Sequence, residues 1–353
     1  MAELIQRLDP GRFRIHVGCF RRTGAWLPRV EAAAAEVAEF RLRSFKSPAS
    51  LATMRDFATW LRRRGIAVLQ ACDLYANVFA LPAAALAHVA VRIGSRRELA
   101  PPDKTRAHLA AQRLAYRVAH CVVANSAAGA DRLRQEGVAN GRIRVIPNGI
   151  DLAAFAPAPP KTRRRIVATV ANLRQEKGHD VLLRAAALVR ARIPDVRFRI
   201  IGDGPNRESL HALAASLGVQ DIVEFLGHRE DVAELLAGSD VYAFPSRTEA
   251  FPNGLIEGMT AGLPVVASGV GGMLELVDDR RNGLLVAPDD HRALAASLIE
   301  LMEDAPLAGA LAVAARRTIE SRYSYDRMVA AFSDLYLSAL TARGCLGSHA
   351  LAS

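Results

Sequence analysis

The stretch SRTEAFPNGLIEGMTAG, residues 246–262, sets two carboxylates eight positions apart around a turn signal. Glu249 precedes Phe251-Pro252-Asn253-Gly254, and Glu257 follows it. The Pro-Asn-Gly run predicts a loop that ends in a helix starting near Asn253. The first N–H groups of such a helix are unpaired and carry positive dipole character, so they favour an anion, most simply a diphosphate. Eight positions span roughly 12 Å if fully helical. That is comparable to the separation of two sugar rings on either side of a diphosphate. Two readings stand side by side. Either the carboxylates accept hydrogen bonds from hydroxyl groups flanking an anion, or Glu249 caps the helix and Glu257 is an exposed helical acid.

Working outward, the stretch follows one of many short apolar, β-branched runs. In the first half they occupy residues 13–19, 35–40, 67–71, 89–94, 121–125 and 144–147. In the second half they occupy 165–171, 196–202, 222–227, 240–246, 264–268 and 283–288. Helical patterns lie between them, as in LATMRDFATWLRRRG and AHLAAQRLAYRVA. Continuous apolar strands alternating with amphipathic helices predict α/β architecture, with parallel sheets covered on both faces. NGIDLAAFAPAPPKTRRR, with its Asn-Gly turn, three prolines and basic run, reads as a linker over 149–162. The expected division is a first unit over 1–150, a second over 163–324, and a terminal helix over 325–353.

Composition narrows the classes. With 51% apolar and 23% charged residues the chain is globular. Lys+Arg exceed Asp+Glu by 46 − 36, a net charge of +10. The basic clusters (Arg21-Arg22, Arg41 to Lys46, Arg62 to Arg64, Lys161 to Arg165) are short and scattered. Without interleaved aromatics they give little support to nucleic-acid binding, although a basic surface suits phosphate-bearing substrates or peripheral contact with anionic lipid. Cys19, Cys72, Cys121 and Cys345 have no CxxC spacing, which fits a reducing compartment without zinc or a disulfide framework. MAELIQRLDPG has neither the basic nor the long apolar region of a signal peptide, and no segment reads as membrane-spanning. The expected location is therefore cytoplasmic.

In open α/β sheets, ligands sit beyond the carboxyl ends of the strands. Four such ends in the second half carry polar, glycine-containing loops: ANLRQEKGHD, GDGP, GHRED and PSRTEAFPNG. Lys177, beside Gly178, can reach a phosphate as a point charge or be a surface lysine before a helix. Gly202 and Gly204 form a tight turn, either against a ligand or a plain one; Arg207 stands where a dinucleotide fingerprint has its third glycine. There is no P-loop and no Gly-x-Ser-x-Gly elbow, and Ser126 reads as a helix N-cap.

Taken in order, IPNGID, KGHDVLLRA, IIGDGP, EFLGH, SDVYAFPSRTEAFPNGLIEGMTAGLPVVAS and GGMLELV resemble family 4 of the glycosyltransferases, the retaining group with the GT-B fold. The resemblance covers about residues 12–343 and is more diffuse in the first half. It implies two Rossmann-like domains, the second holding a nucleoside-diphosphate sugar, with the terminal helix crossing back onto the first. It implies that Glu257 binds ribose hydroxyls and Glu249 the donor sugar. Amides of Phe251, Pro252, Asn253 and Gly254, where an N–H exists, would hold the diphosphate with Lys177, and the loop at Gly227 would lie by the base. It also implies no metal or other cofactor, with a glycan, lipid-linked or small-molecule acceptor.

Three departures from the family pattern bear on activity. Asn172 stands where the family often has an arginine, with Arg174 as a substitute. Gln70-Ala71-Cys72, followed by Asp73, replaces a His-x-His whose second histidine contacts the donor sugar in the family. Family members open with a strand and a glycine-rich loop ahead of a segment like LIQRLDPGRFRIHV, so a first strand is expected to be missing here. The leading expectation is a retaining, metal-independent sugar transfer. The alternative is a truncated or degenerate protein that binds nucleotide but is catalytically silent.

Overall fold

Among the described residues, twelve short strands, all paired in parallel, organise the chain. They are β1 (His16–Cys19), β2 (Glu36–Glu39), β3 (Val68–Gln70), β4 (Val91–Arg96), β5 (Cys121–Ala124), β6 (Ile143–Val145), β7 (Ile166–Val170), β8 (Arg197–Ile201), β9 (Val223–Gly227), β10 (Val241–Phe244), β11 (Val265–Ser268) and β12 (Leu284–Val286). The computed structural model describes residues 1–42, 44, 45, 47–99, 105–155 and 165–345. Most of the expected linker, with its three prolines and most of its basic run, lies outside the described residues.

Each apolar run of the sequence contains one strand, with small shifts in extent. β4 runs on to Arg96, two residues past the expected end, and β6 starts one residue early at Ile143. Contacts divide the chain into two units. One comprises Met1–Pro147 with Tyr325–Ser353, and the other comprises Asn148–Ser324.

The second unit is a six-stranded sheet of order β12-β11-β10-β7-β8-β9. Its central strands are buried along nearly their whole length, as expected for a sheet covered on both faces. Period-two alternation sorts their side chains. Val167, Val241, Ala243 and Val266 face the helices His179–Arg192 and His291–Glu303. Ala168, Tyr242, Phe244 and Val265 face the helices Asn253–Thr260 and Ala305–Arg322.

The first unit holds a four-stranded sheet, β3-β4-β5-β6, and a separate two-stranded sheet, β1-β2. Leu69, Val122 and Ala124 pack with helices Pro48–Arg63, Leu74–Leu86 and Arg106–Arg117. On the other face Val91, Ile93, Cys121 and Val123 pack with Leu4, Leu8 and the apolar stripe Met328, Phe332, Tyr336 and Leu340 of the last helix, Tyr325–Thr341. Among the described residues, no helix is long and apolar enough to cross a membrane.

Candidate active site

The sheet of the second unit reverses its winding between β7 and β10. From β7 the chain winds outward through β8 and β9; from β10 it winds the other way through β11 and β12. Loops leaving such a pair of neighbours diverge and open a crevice at their carboxyl ends. Lys177 stands on the loop after β7, and Glu249 on the loop after β10.

The two loops are joined by close backbone packing and by one arginine. Gly178 adopts a left-handed conformation (φ 67°), and a Cβ there would lie 2.0 Å from the Pro245 carbonyl oxygen, so only glycine lets the loops meet. Arg247 donates through its backbone N–H to the Glu176 carbonyl (2.8 Å) and through Nη1 to the Gln175 carbonyl (2.6 Å). Its guanidinium forks onto Asp180 at 2.9 and 2.7 Å and reaches Asp289 through Nε at 2.7 Å. His179, fully buried, donates from Nε2 to the Asn172 carbonyl at 3.1 Å. Burial lowers its pKa to about 4, so the ring is a neutral strut.

This frame brings Lys177 and Glu249 together. Lys177 Nζ lies 2.5 Å from Glu249 Oε1, and the Ser246 hydroxyl donates to the same oxygen at 3.0 Å. Glu249 is 8% exposed. Burial raises its pKa above the ordinary value, and the Lys177 ammonium opposes that shift. Gly272, on the loop after β11, donates its N–H to the Glu249 carbonyl at 2.9 Å. A Cβ on Gly272 would stand 2.2 Å from the Ala250 carbonyl oxygen. Thus loops after three strands fix the position of one carboxylate.

Glu257 has a different environment. The helix Asn253–Thr260 starts at Pro252 with no side-chain cap, so Glu249 is not its cap. Gly254 and Gly258, one turn apart, let the helix lie down on the sheet. Added Cβ atoms would stand 2.2 Å from the Val170 carbonyl oxygen and 2.5 Å from the Tyr242 ring. Glu257 comes down beside them and is not an exposed helical acid. Its Oε2 is buried without a hydrogen-bond partner, and burial alone raises its pKa to about 7. An unpartnered buried carboxylate oxygen costs free energy that a hydroxyl donor would recover.

The remaining sequence candidates occupy varied places. Phe251 is buried, its ring 5.7 Å from that of Tyr323. Pro252 is buried beside it, and Asn253 is exposed, its side-chain oxygen accepting from Asn148 Nδ2 at 3.0 Å. Asn172 and Arg174 are exposed at the crevice loop, and among the described residues Arg174 forms no ion pair. Gly202 and Gly204 approach protein backbone: their added Cβ atoms would meet the Ala171 carbonyl oxygen at 2.1 Å and the Leu173 carbonyl oxygen at 2.7 Å. Gly227, with φ 69°, accepts from the Gly202 N–H at 2.8 Å. Cys72 and Asp73 belong to the first unit. Asp73 caps the helix Leu74–Leu86 by accepting from the Ala76 N–H at 2.8 Å, and burial raises the Cys72 thiol pKa. Among the described residues, no three His, Cys, Asp or Glu side chains converge as a metal-binding group.

Sequence reasoning missed Arg247, His179 and Gly272. Arg247 lies inside the opening stretch and His179 follows Lys177-Gly178, so adjacency to the strand ends was the available signal.

Two family models cover this architecture in succession. The model for Glycosyltransferase Family 4 matches residues 1–154, and that for Glycosyl transferases group 1 matches residues 153–318. The chain belongs to glycosyltransferase family 4. The D-inositol 3-phosphate glycosyltransferase of Salinispora arenicola (strain CNS-205) is 35% identical to this family 4 chain over 229 residues, 58% of this chain and 51% of that protein. The putative colanic acid biosynthesis glycosyltransferase WcaL of Escherichia coli (strain K12) is 34% identical over 180 residues, 48% of this chain and 44% of that protein. The chain spans about half the length of the curated relatives it matches. Among solved structures, Anabaena HepE in complex with UDP-glucose superposes with a TM-score of 0.84 at 26% identity, covering 96% of each chain. A glycosyltransferase from Rickettsia africae gives 0.82 at 19% identity, covering 96% of this chain and 93% of that one, a likeness of fold.

Proposed function

We propose that this family 4 protein transfers a sugar, with retention of configuration, from a nucleoside-diphosphate sugar to a hydroxyl acceptor. The observation that carries the reading is the pairing at the β7/β10 crevice. A cation and two differently buried carboxylates surround the uncapped start of the helix Asn253–Thr260.

Each group has a task that suits its surroundings. The uncapped helix start and the Lys177 ammonium receive the diphosphate. As the glycosidic bond lengthens, negative charge builds on the phosphate that leaves, and the same two groups stabilise it without reorganising. Both bonds to Glu249 use Oε1, so Oε2 is left to accept from a hydroxyl of the donor sugar. Glu257 Oε2 accepts from the ribose hydroxyls, which replaces its missing partner. The acceptor hydroxyl attacks from the face the diphosphate leaves, with no covalent role for Glu249. Asn172, Arg174, Gly202, Gly204 and Gly227 frame the base and phosphate side of this site.

UDP-glucose in the HepE complex makes UDP-sugars the first donors to try. Relatives named for inositol 3-phosphate and colanic acid point to polyol phosphates and glycans as the first acceptors. The reading includes no metal requirement, a cytoplasmic location, and a basic surface able to sit against anionic lipid. The test is a donor-by-acceptor matrix scored by nucleotide release, with NMR of the new anomeric centre. A retained configuration supports the proposal; an inverted product contradicts it. Donor binding with no turnover on any acceptor favours the silent nucleotide-binding alternative, for which Gln70 and Cys72 are the motivating residues.

A further inference from the structure

Three neighbouring strands of the first unit start at a basic residue. Arg92 is the second residue of β4, His120 immediately precedes β5, and Arg142 immediately precedes β6. These strands are adjacent in the sheet, so the three residues share its amino end. The turn before β5 anchors both arginines. Arg92 donates from Nε to the Val118 carbonyl at 2.7 Å and from Nη1 to the Val89 carbonyl at 2.8 Å. Arg142 donates from Nη2 to the carbonyls of Tyr116 and Ala119. Arg343, exposed just beyond the helix Tyr325–Thr341, adds a third charge. Burial and then this charge lower the pKa of Arg92.

Cations at the end of the helix Arg106–Arg117 have an ordinary use, since its last carbonyls carry about half a negative charge. Half a charge does not balance three guanidiniums. Among the described residues, none of Arg92, Arg142 and Arg343 forms an ion pair with a carboxylate.

His120 is short of an acceptor as well. The Arg92 backbone N–H donates to His120 Nδ1 at 2.9 Å, so Nδ1 supplies the lone pair. Burial, with the charges of Arg92, Arg343 and Arg142, lowers the His120 pKa to about 4. The ring is therefore neutral, and its one proton sits on Nε2. Arg92 Nη2 lies 3.0 Å from that Nε2. Two N–H donors thus face each other, and half-buried donors ordinarily have an acceptor. An anionic oxygen beside them accepts from both.

We infer that the amino ends of β4, β5 and β6 bind a phosphate-type anion through Arg92, His120, Arg142 and Arg343. Guanidinium forks match phosphate oxygens, and the anion supplies both the missing acceptor and the missing negative charge. The ligand is a phosphate group, either soluble or on a lipid headgroup. The donor crevice lies at strand carboxyl ends of the other unit, so this site stands independently of it.

The test follows the His120 ring resonances by NMR while the full chain is titrated with inorganic phosphate. Arg343→Glu removes a charge whose side chain makes no hydrogen bond among the described residues. Arg55→Glu, at an exposed position on the helix Pro48–Arg63, is the charge-matched control, and Lys177→Ala removes the phosphate contact proposed for the other unit. Phosphate should shift the His120 signals in the parent, Arg55→Glu and Lys177→Ala, and should bind at least about tenfold more weakly to Arg343→Glu. A second arm measures cosedimentation with vesicles of equal parts phosphatidylglycerol and phosphatidylcholine, against phosphatidylcholine alone. A response to free phosphate alone assigns a soluble ligand. Vesicle binding lost in Arg343→Glu and kept in Arg55→Glu assigns a lipid headgroup. Either result supports the site. Equal behaviour of Arg343→Glu and Arg55→Glu in both arms, including no response from any protein, overturns it. Should Arg343→Glu fail to fold, Arg343→Gln takes its place with the same outcomes.

Discussion

Lys177 and Glu249, 72 positions apart, meet across the crevice between β7 and β10 with Nζ 2.5 Å from Oε1. The pair is largely withdrawn from water, so its worth lies in what happens when one partner is removed. Lys177→Ala leaves a buried carboxylate unpaired. The cost is about 1–3 kcal/mol, discounted from a fully buried pair because Lys177 retains some exposure. The double variant Lys177→Ala/Glu249→Gln recovers part of that loss. Urea denaturation of the two singles and the double, read as a cycle, checks the coupling.

Glu257 makes stability and ligand binding depend on pH in opposite senses. Its folded-state pKa of about 7 lies above the ordinary 4.5. The native state thus favours the protonated form; the stabilisation is complete below pH 4.5 and is lost as pH rises through about 7. Glu257→Gln removes the cost of ionising a buried group. The variant should match the parent near pH 4.5 and exceed it at pH 8 by on the order of 2–3 kcal/mol, as measured by thermal melts.

Hydroxyl groups that donate to Glu257 favour its ionised form. Nucleotide affinity of the parent should therefore rise between pH 6 and pH 8. In Glu257→Gln the affinity is weaker and flat over that range. Fluorescence titration with UDP at four pH values reads the difference, and a parallel pH slope in both proteins would remove Glu257 from the site.

Gly272→Ala tests the support of Glu249. The new Cβ needs the space of the Ala250 carbonyl oxygen, 2.2 Å away, so the loop bearing Glu249 must move. Misplacing a positioned group by about 1 Å costs on the order of 100-fold in rate. Turnover should fall by that order while far-UV circular dichroism stays unchanged.

Arg247→Ala removes the links from the Glu249 loop to Gln175, Asp180 and Asp289. Freed of them, the Lys177 loop loses its fixed place. The expected result is a rise in donor KM larger than the fall in kcat, read from initial rates with a UDP-sugar.

The strands were legible because parallel sheets buried on both faces demand continuous β-branched runs, as in Ile166–Val170 and Val265–Ser268. Lys177 and Glu249 were legible as strand-end residues, though not their contact, which depends on Gly178 letting two loops touch. The depth of Glu257 was not legible. Its neighbours in sequence read as an ordinary helix, and only the packing of Gly254 and Gly258 onto Val170 and Tyr242 carries it into the interior. Arg247 looks like a surface cation in sequence because its four partners come from three other segments. The separation of β1-β2 from β3-β4-β5-β6 is a matter of pairing, which local patterns do not encode.

The central claim is that the second unit's crevice holds a nucleoside-diphosphate sugar through Lys177 and Glu257. Isothermal titration of the parent, Lys177→Ala and Glu257→Ala with UDP-glucose and a panel of other UDP- and GDP-sugars tests it most directly. One-to-one binding of at least one donor by the parent is expected, weakened at least about tenfold, or 1.4 kcal/mol, in each variant. No binding of any donor by the folded parent, or equal binding by all three proteins, would contradict it.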